Sequence, residues 1–481
     1  MGRPEEESRA GQVGLVARGF QQPDEGEDTF APTASAWVPR FILAVEENHR
    51  RSGAPLESRC IAVADVSTAF LHAPRADEAL FVRPPAEAVE WARARGDLKE
   101  GDTRRLWRVH RALYGLRTSP RDWYRHFCEV LKAQGWAVSA REGCLFSREG
   151  VLLSIHVDDL FVAGDVDKVT LFLRELSAEV SLKFEILRGD QDGAVDYLGR
   201  RILQENGSFR IGLSSSYTDR LLEMHSMVEC KTMGWVSEVT SCEDGEVQLG
   251  KEEHALFRSS VGVLMWLCQE RADVAVAVNR LSTNVQSPTV RDLKNLRKLL
   301  RYLKFSKDWL SHVWCDDLPL RTLEGKQQWR IDGFSDSDWA GEKSRLSRSG
   351  YAVYLGSCLI TFGTRRQRVI SLSSCEAEFY ACTVCCQEVL AVSELVIEVL
   401  GVSPSVTVYL DSNSARALAG KQGVGRTKHV ETRALWVQQQ VADGRLRTAR
   451  VGTQDNPSDI LTKITAPGVQ KRLRGLFGFT V

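Results

Sequence analysis

The segment Val151-Leu152-Leu153-Ser154-Ile155-His156-Val157, Asp158-Asp159, Leu160-Phe161-Val162-Ala163-Gly164 sets two adjacent carboxylates between two apolar runs. Runs of that length, broken by two polar residues, predict a buried β-hairpin with the acids at its tip. Neighbouring like charges repel unless a cation neutralises them, so such a tip asks for a metal ion. A second strand signal, Ile61-Ala62-Val63-Ala64-Asp65-Val66, also ends in an acid. Taken singly, an acid at a strand end more often caps a turn than binds anything. Asp65 with Asp158 meets a sharper specification: hard oxygens on rigid neighbouring strands, as two Mg²⁺ ions roughly 4 Å apart require for phosphoryl transfer.

A second set of acids follows a new pattern that starts at Gln328. Strands are predicted at Trp329 to Asp336, Ser349 to Leu355 and Ser357 to Phe362, then a long helix from about Ser374 to Leu400. The run Val406-Thr407-Val408-Tyr409-Leu410-Asp411 reads as another strand ending in an acid, followed by helices at Ser412 to Gly420 and Glu431 to Asp443 and a last strand at Leu446 to Val451. Asp336, Glu378, Asp411 and Asp459 then fall where four acids can converge on one face of a central sheet. Asp338 and Glu376 are the near-neighbour alternatives to Asp336 and Glu378.

A chain of 481 residues exceeds one compact core and predicts about two to four domains. No apolar run approaches the roughly 20 residues needed to cross a bilayer. The start, Met1-Gly2-Arg3-Pro4-Glu5-Glu6-Glu7, carries no leader pattern, so an intracellular protein without a membrane role is expected. Twelve cysteines without paired spacing fit a reducing compartment, and the cluster Cys382, Cys385 and Cys386 reads as helix packing. The balance of 63 Lys+Arg against 63 Asp+Glu counts against a nucleic-acid binder, but distribution matters more than the sum. Arg291, Lys294, Arg297, Lys298, Arg301, Lys304 and Lys307 face only Asp292 in their stretch, while Leu293, Leu296, Leu300 and Leu303 share one helical face. The basic faces suit either plain solvation or phosphate tracking. Lys231 to His254, polar and sparsely apolar, reads as a tether.

The chain resembles the reverse transcriptase and RNase H portion of copia-type LTR retrotransposon Pol polyproteins. The matching residues are Leu15-Val16-Ala17-Arg18-Gly19-Phe20-Gln21-Gln22, Thr29-Phe30-Ala31-Pro32, Asp65-Val66-Ser67-Thr68-Ala69-Phe70-Leu71, Leu113-Tyr114-Gly115-Leu116-Arg117-Thr118-Ser119-Pro120 and Val157-Asp158-Asp159. Further on come Phe334-Ser335-Asp336, Ser349-Gly350-Tyr351, Glu376-Ala377-Glu378-Phe379, Asp411-Ser412-Asn413, Lys428-His429-Val430 and Ser458-Asp459-Ile460-Leu461. The resemblance implies an α+β chain in three parts. Residues 1–230 would be fingers, palm and thumb, with the fingers incomplete at the N-terminus. Residues 231–327 would be a tether and helical connection, and 328–481 an RNase H-like domain with a mixed five-stranded sheet.

It further implies Asp65 and Asp158 as palm metal ligands, Asp159 as third palm acid, and Asp336, Glu378, Asp411 and Asp459 as nuclease metal ligands. Each site would hold two Mg²⁺ ions, with Mn²⁺ as a substitute. Phe70, Tyr114, Gly115 and Arg117 would line the substrate pocket, Phe70 selecting deoxynucleotides. His429 would assist product release or proton transfer, unless it is a loop histidine bonded locally. The implied partners are RNA template, DNA primer, RNA–DNA hybrid and deoxynucleoside triphosphates. Gln12 and Gly14 stand where the family has basic residues, which implies a lost triphosphate clamp, and His156 stands where it has an aromatic ring. The rival reading is a decayed or co-opted copy that binds nucleic acid with RNase H activity alone or with none.

Overall fold

The computed structural model describes residues 16–22, 26–75, 80–97, 106–239, 246–316, 318, 329–423 and 430–479. Gln12, Gly14 and His429 lie outside the described residues.

Strand Arg59–Val66 lies between Asp159–Asp165 and Leu182–Arg188 and is antiparallel to both. The sheet continues from Asp159–Asp165 through Val151–His156 and Leu145–Arg148 to Ala137–Val138, six strands in all. Alternate residues feed two cores. Ala62, Ala64, Leu153 and Val162 pack under helices Ser119–Ala133 and Val166–Glu179 through Trp123, Phe127, Phe172 and Leu176. Ile61, Leu152, Phe161 and Ala163 meet helix Val38–Arg51 on the other side. Burial on both faces is why these strands read as continuous apolar runs.

The expected hairpin is present, with His156 opposite Asp159, so Val157 and Asp158 form the loop and Asp159 opens the return strand. Val157 adopts φ 60°, a left-handed value costly for a β-branched residue. The indole N–H of Trp123 donates to its carbonyl oxygen at 2.6 Å and holds the turn in place.

Gly193–Tyr197, Arg200–Glu205, Ser208–Leu213 and Ser311–His312 form a second, four-stranded sheet. Helices Ser216–Met224, Lys251–Leu267, Ala272–Thr283 and Val290–Phe305 share a core beside it. Within the stretch expected as a tether, one described residue is buried while the others are exposed or half-buried. Val236 is buried, its N–H donates to the side chain of Gln470, and its carbonyl accepts from the same amide. The helix then begins at Lys251, inside the stretch.

The C-terminal part holds the expected mixed five-stranded sheet. Its order is Cys358–Arg366, Arg348–Leu355, Arg330–Asp338, Ser405–Leu410, Arg447–Arg450, antiparallel over the first three and parallel over the last two pairings. Helix Ser374–Leu400 lies on this sheet because Gly333 offers no side chain: a Cβ there would stand 2.7 Å from Cys385 Sγ. Cys382, Cys385 and Cys386 are fully buried in that seam, as helix packing requires. No described helix is long and apolar enough to cross a membrane.

Candidate active sites

Antiparallel register puts Asp65 directly opposite Asp159, and the N–H of Val66 donates to the carbonyl of Asp158 at 2.9 Å. Three acids from two distant segments thus lie at one edge of the six-stranded sheet. Asp65 is exposed, while Asp158 and Asp159 are half-buried. Burial holds the Asp159 carboxyl above the ordinary range, Asp158 and Asp65 add to that, and His156 opposes it. A cation bound beside these acids would favour the charged form of Asp159.

Thr68, at φ 56°, turns the chain out of the Asp65 strand into the short helix Ala69–His72, which carries Phe70. The Phe70 ring lies 4.8 Å from that of Tyr114. Burial raises the Tyr114 hydroxyl, and Asp158 and Asp65 raise it further, which sets this ring in the field of the acids. Gly115 has φ 89°, and a Cβ there would stand 2.1 Å from the carbonyl oxygen of Ala17. Gly19 makes the reciprocal approach, 2.0 Å from the Gly115 carbonyl oxygen. The two glycines let the segment lie flat, with Ala17 N–H donating to Tyr114 O at 2.7 Å and Gly19 N–H to Gly115 O at 3.1 Å. Arg18 is exposed on that segment. Arg18 enters the sequence reading only as one residue of the Leu15–Gln22 match, and the mutual approach of Gly19 and Gly115 is what sets it beside the Tyr114 turn. Arg117 is half-buried just beyond the turn.

The second site closes more tightly. Asp336, Glu378 and Asp411 each bring a carboxylate oxygen to within 4.8 Å of the others, a grouping that the palm acids do not reach among the described residues. Asp336 comes from the central strand, Glu378 from the first turns of the long helix, and Asp411 from the end of the parallel neighbour. Glu378 is pushed up to about 9 by burial and then by Asp336 and Asp411, against the N–H of Ser337, which donates to its Oε1 at 3.3 Å. Its Oε2 is buried without a hydrogen-bond partner. An orphaned carboxylate oxygen among other acids suits a divalent cation.

Asp459 joins from the 3₁₀ turn Pro457–Leu461 and is pushed up to about 7 by burial and then Asp336. It stands outside the tight group of three and shares Lys463 with Asp336, at 3.1 and 3.8 Å. Gly350 makes the turn's approach feasible. It lies opposite Asp336 in the sheet, and a Cβ there would stand 2.9 Å from Leu461 Cβ and 2.8 Å from Thr462 Cγ2. Ser458 donates to Phe334 O at 2.8 Å, Asn456 to Ser335 O at 2.9 Å, and the Thr462 hydroxyl to Asp336.

The alternatives are occupied elsewhere. Glu376 accepts from Leu372 N–H at 2.7 Å and from the Tyr380 hydroxyl at 2.8 Å, and Asp338 accepts from the N–H of Arg348.

Residues 7–236 match the family model described as reverse transcriptase (RNA-dependent DNA polymerase). Over 468 residues the chain is 27% identical to the retrovirus-related Pol polyprotein from transposon TNT 1-94 of Nicotiana tabacum, covering 94% of this chain and 33% of that protein. The Pol polyprotein from transposon RE1 of Arabidopsis thaliana is 27% identical over 463 residues, covering 93% of this chain and 29% of that one. The chain therefore spans about a third of the length of these curated relatives. Among solved structures, a foamy viral protease–reverse transcriptase in complex with RNA/DNA hybrid aligns with a TM-score of 0.49 at 14% identity, over 85% of this chain and 45% of that one.

Proposed function

We propose, because residues 7–236 match a reverse transcriptase model and the chain is similar to retrotransposon Pol polyproteins, that this protein is an RNA-directed DNA polymerase coupled to a ribonuclease H. The observation that carries the nuclease half is the closure of Asp336, Glu378 and Asp411 around a buried, unpartnered oxygen. In the palm, Asp65 and Asp158 would hold the metal, with Asp159 beside them. Phe70 and Tyr114, with rings tilted 55° to one another, would bound the pocket for a deoxynucleotide sugar, and the exposed Arg18 would offer a positive charge to a triphosphate. In the nuclease, Asp336, Glu378 and Asp411 would hold the metal, and Asp459 with Lys463 would exchange a proton at its edge. Mg²⁺ bound at either site would polarise the attacking oxygen and offset charge on the leaving one. His429 would assist product release.

The rival, a copy that binds nucleic acid without polymerising, is separated by two assays on one preparation. Primer extension on an RNA template and cleavage of a labelled RNA–DNA hybrid are measured with Mg²⁺ for wild type, Asp158→Asn and Asp411→Asn. The expected result is that Asp158→Asn loses extension and still cuts RNA, while Asp411→Asn does the reverse. A folded wild type that extends no better than Asp158→Asn ends the polymerase claim.

A further inference from the structure

Helix Val290–Phe305 starts at a capping box in which the Thr289 hydroxyl accepts from Asp292 N–H and the Asp292 carboxylate accepts from Thr289 N–H. Its apolar stripe, Leu293, Leu296, Leu300 and Leu303, is buried in the core of the helical block. That burial fixes the rotation of the helix and decides which cations face water.

Three of the seven basic residues around this helix are taken up internally. Arg291 pairs with Glu246, Lys304 donates to the carbonyl oxygens of Val228 and Cys230, and Lys307 pairs with Asp219 at 2.9 Å. The other four, Lys294, Arg297, Lys298 and Arg301, are all exposed. None has a side-chain hydrogen bond or ion pair among the described residues; Glu246, which lines a groove with Lys294 and Lys298, is held by Arg291. Their spacing of i, i+3, i+4 and i+7 aligns them in one row about 10 Å long. A plain solvated face ordinarily interleaves both signs of charge. This row holds one sign over two turns, in a chain whose net charge is zero.

We infer that Lys294, Arg297, Lys298 and Arg301 form a binding surface for a nucleic-acid phosphate backbone, separate from both acidic centres. This rests on the proposed function, because the backbone meant is that of the RNA–DNA hybrid. Four exposed cations in a row, with the neighbouring amide of Asn295 buried beneath them, suit phosphates rather than base edges, so the contact is independent of sequence. It holds the duplex while the acidic centres act, and does no chemistry itself.

The test is the salt dependence of binding. Affinity for a labelled RNA–DNA hybrid is measured by anisotropy across a salt series, with chelator present so that nothing is cut. Wild type is compared with the fourfold variant Lys294→Gln, Arg297→Gln, Lys298→Gln, Arg301→Gln. Each phosphate contact contributes about 0.9 to the slope of log K against log salt, so the variant should lower the slope by about 3 to 4. A control that neutralises Lys471 and Arg472, exposed on the C-terminal helix, should leave the slope at the wild-type value. Because the four side chains are exposed, the variant should unfold at the wild-type temperature. If wild type binds steeply and the fourfold variant matches it, the inference is overturned and the proposed function stands. A control that lowers the slope as much per charge also overturns it. A wild type that binds no hybrid overturns both readings.

Discussion

At the scale of single residues, two glutamates two positions apart have different tasks. Consecutive even positions on a helix point about 200° apart, so only one of Glu376 and Glu378 can face the sheet. The family resemblance favours Glu378 over its neighbour Glu376, but the sequence alone does not fix the rotation of the helix, whose apolar surface is broad: Ala377, Phe379 and Ala381 are all fully buried. Packing against Gly333 settles the rotation. Glu378 enters the acidic group, and Glu376 receives the backbone ahead of the helix. Glu376→Ala should therefore lose about 1–3 kcal/mol of stability through the unsatisfied Leu372 N–H and Tyr380 hydroxyl, and still cut RNA once folded. Glu378→Gln should do the opposite. The Glu378 carboxyl ordinarily titrates at 4.5 and in the fold is pushed up to about 9 by burial, Asp336 and Asp411. With the folded value above the unfolded one, its contribution is fully present below about pH 4.5 and is lost as pH rises through about 9. Without metal, wild type should lose stability relative to Glu378→Gln across that window, as read by denaturant titration at several pH values. Mg²⁺ should cancel the loss in wild type and have less effect on the variant. Equal pH profiles for the two would show that Glu378 is not the strained group.

At the scale of elements, each site depends on a glycine that lets a second segment come close. Gly350→Val should push the Pro457–Leu461 turn off the sheet, taking with it Asp459 and the Thr462 hydroxyl that donates to Asp336. Hybrid cleavage should fall at least tenfold while primer extension changes little, since one misplaced ligand costs roughly that much. Gly115→Ala should show the reverse pattern. The new methyl meets the Ala17 carbonyl in a left-handed backbone, so the segment bearing Arg18 lifts away from Tyr114. Loss of both activities in either variant would mean that these glycines serve the fold at large rather than one site. The strands that hold the acids were legible because their local pattern, apolar runs ending in Asp, is complete within each segment. Helix Val38–Arg51 was not read at all. Val38, Phe41, Ile42 and Val45 do recur at helical spacing, but the helix is buried nearly all round, with Arg40, Glu46 and Glu47 inside, so its polar residues mark no solvent face.

At the scale of the whole molecule, that unread helix joins the two halves. One apolar cluster runs from Phe41, Ile42 and Val45 to Ile61 and Phe161 of the six-stranded sheet, and on to Val353, Leu355 and Cys358 of the five-stranded one. Polar contacts cross the same boundary. Glu398 accepts from the Ser139 hydroxyl at 2.7 Å and from Ala140 N–H at 2.6 Å, and Arg141 pairs with Glu394. Buried Glu270 lies between Arg40 and Arg200, at 2.6 and 2.7 Å, tying the helical block to the same helix. Contacts between segments hundreds of residues apart leave no trace in local composition, which is why the polar stretch 231–254 gives no sign in the sequence of the bond between Val236 and Gln470. They also bear on the even charge balance: many acids here are matched internally to arginines, so the sum says little about which cations remain free. A core held in common should melt as one unit. Calorimetry of the full chain should give a single transition whose calorimetric and van't Hoff enthalpies agree. Residues 329–479 expressed alone should bind an apolar dye or aggregate, because Val353, Leu355 and Cys358 lose their cover. The double variant Ser139→Ala, Arg141→Ala should lower the transition temperature without splitting it. Two separated transitions, or a well-behaved isolated fragment that cuts hybrid at the full-chain rate, would show that the nuclease stands alone and the palm merely leans on it.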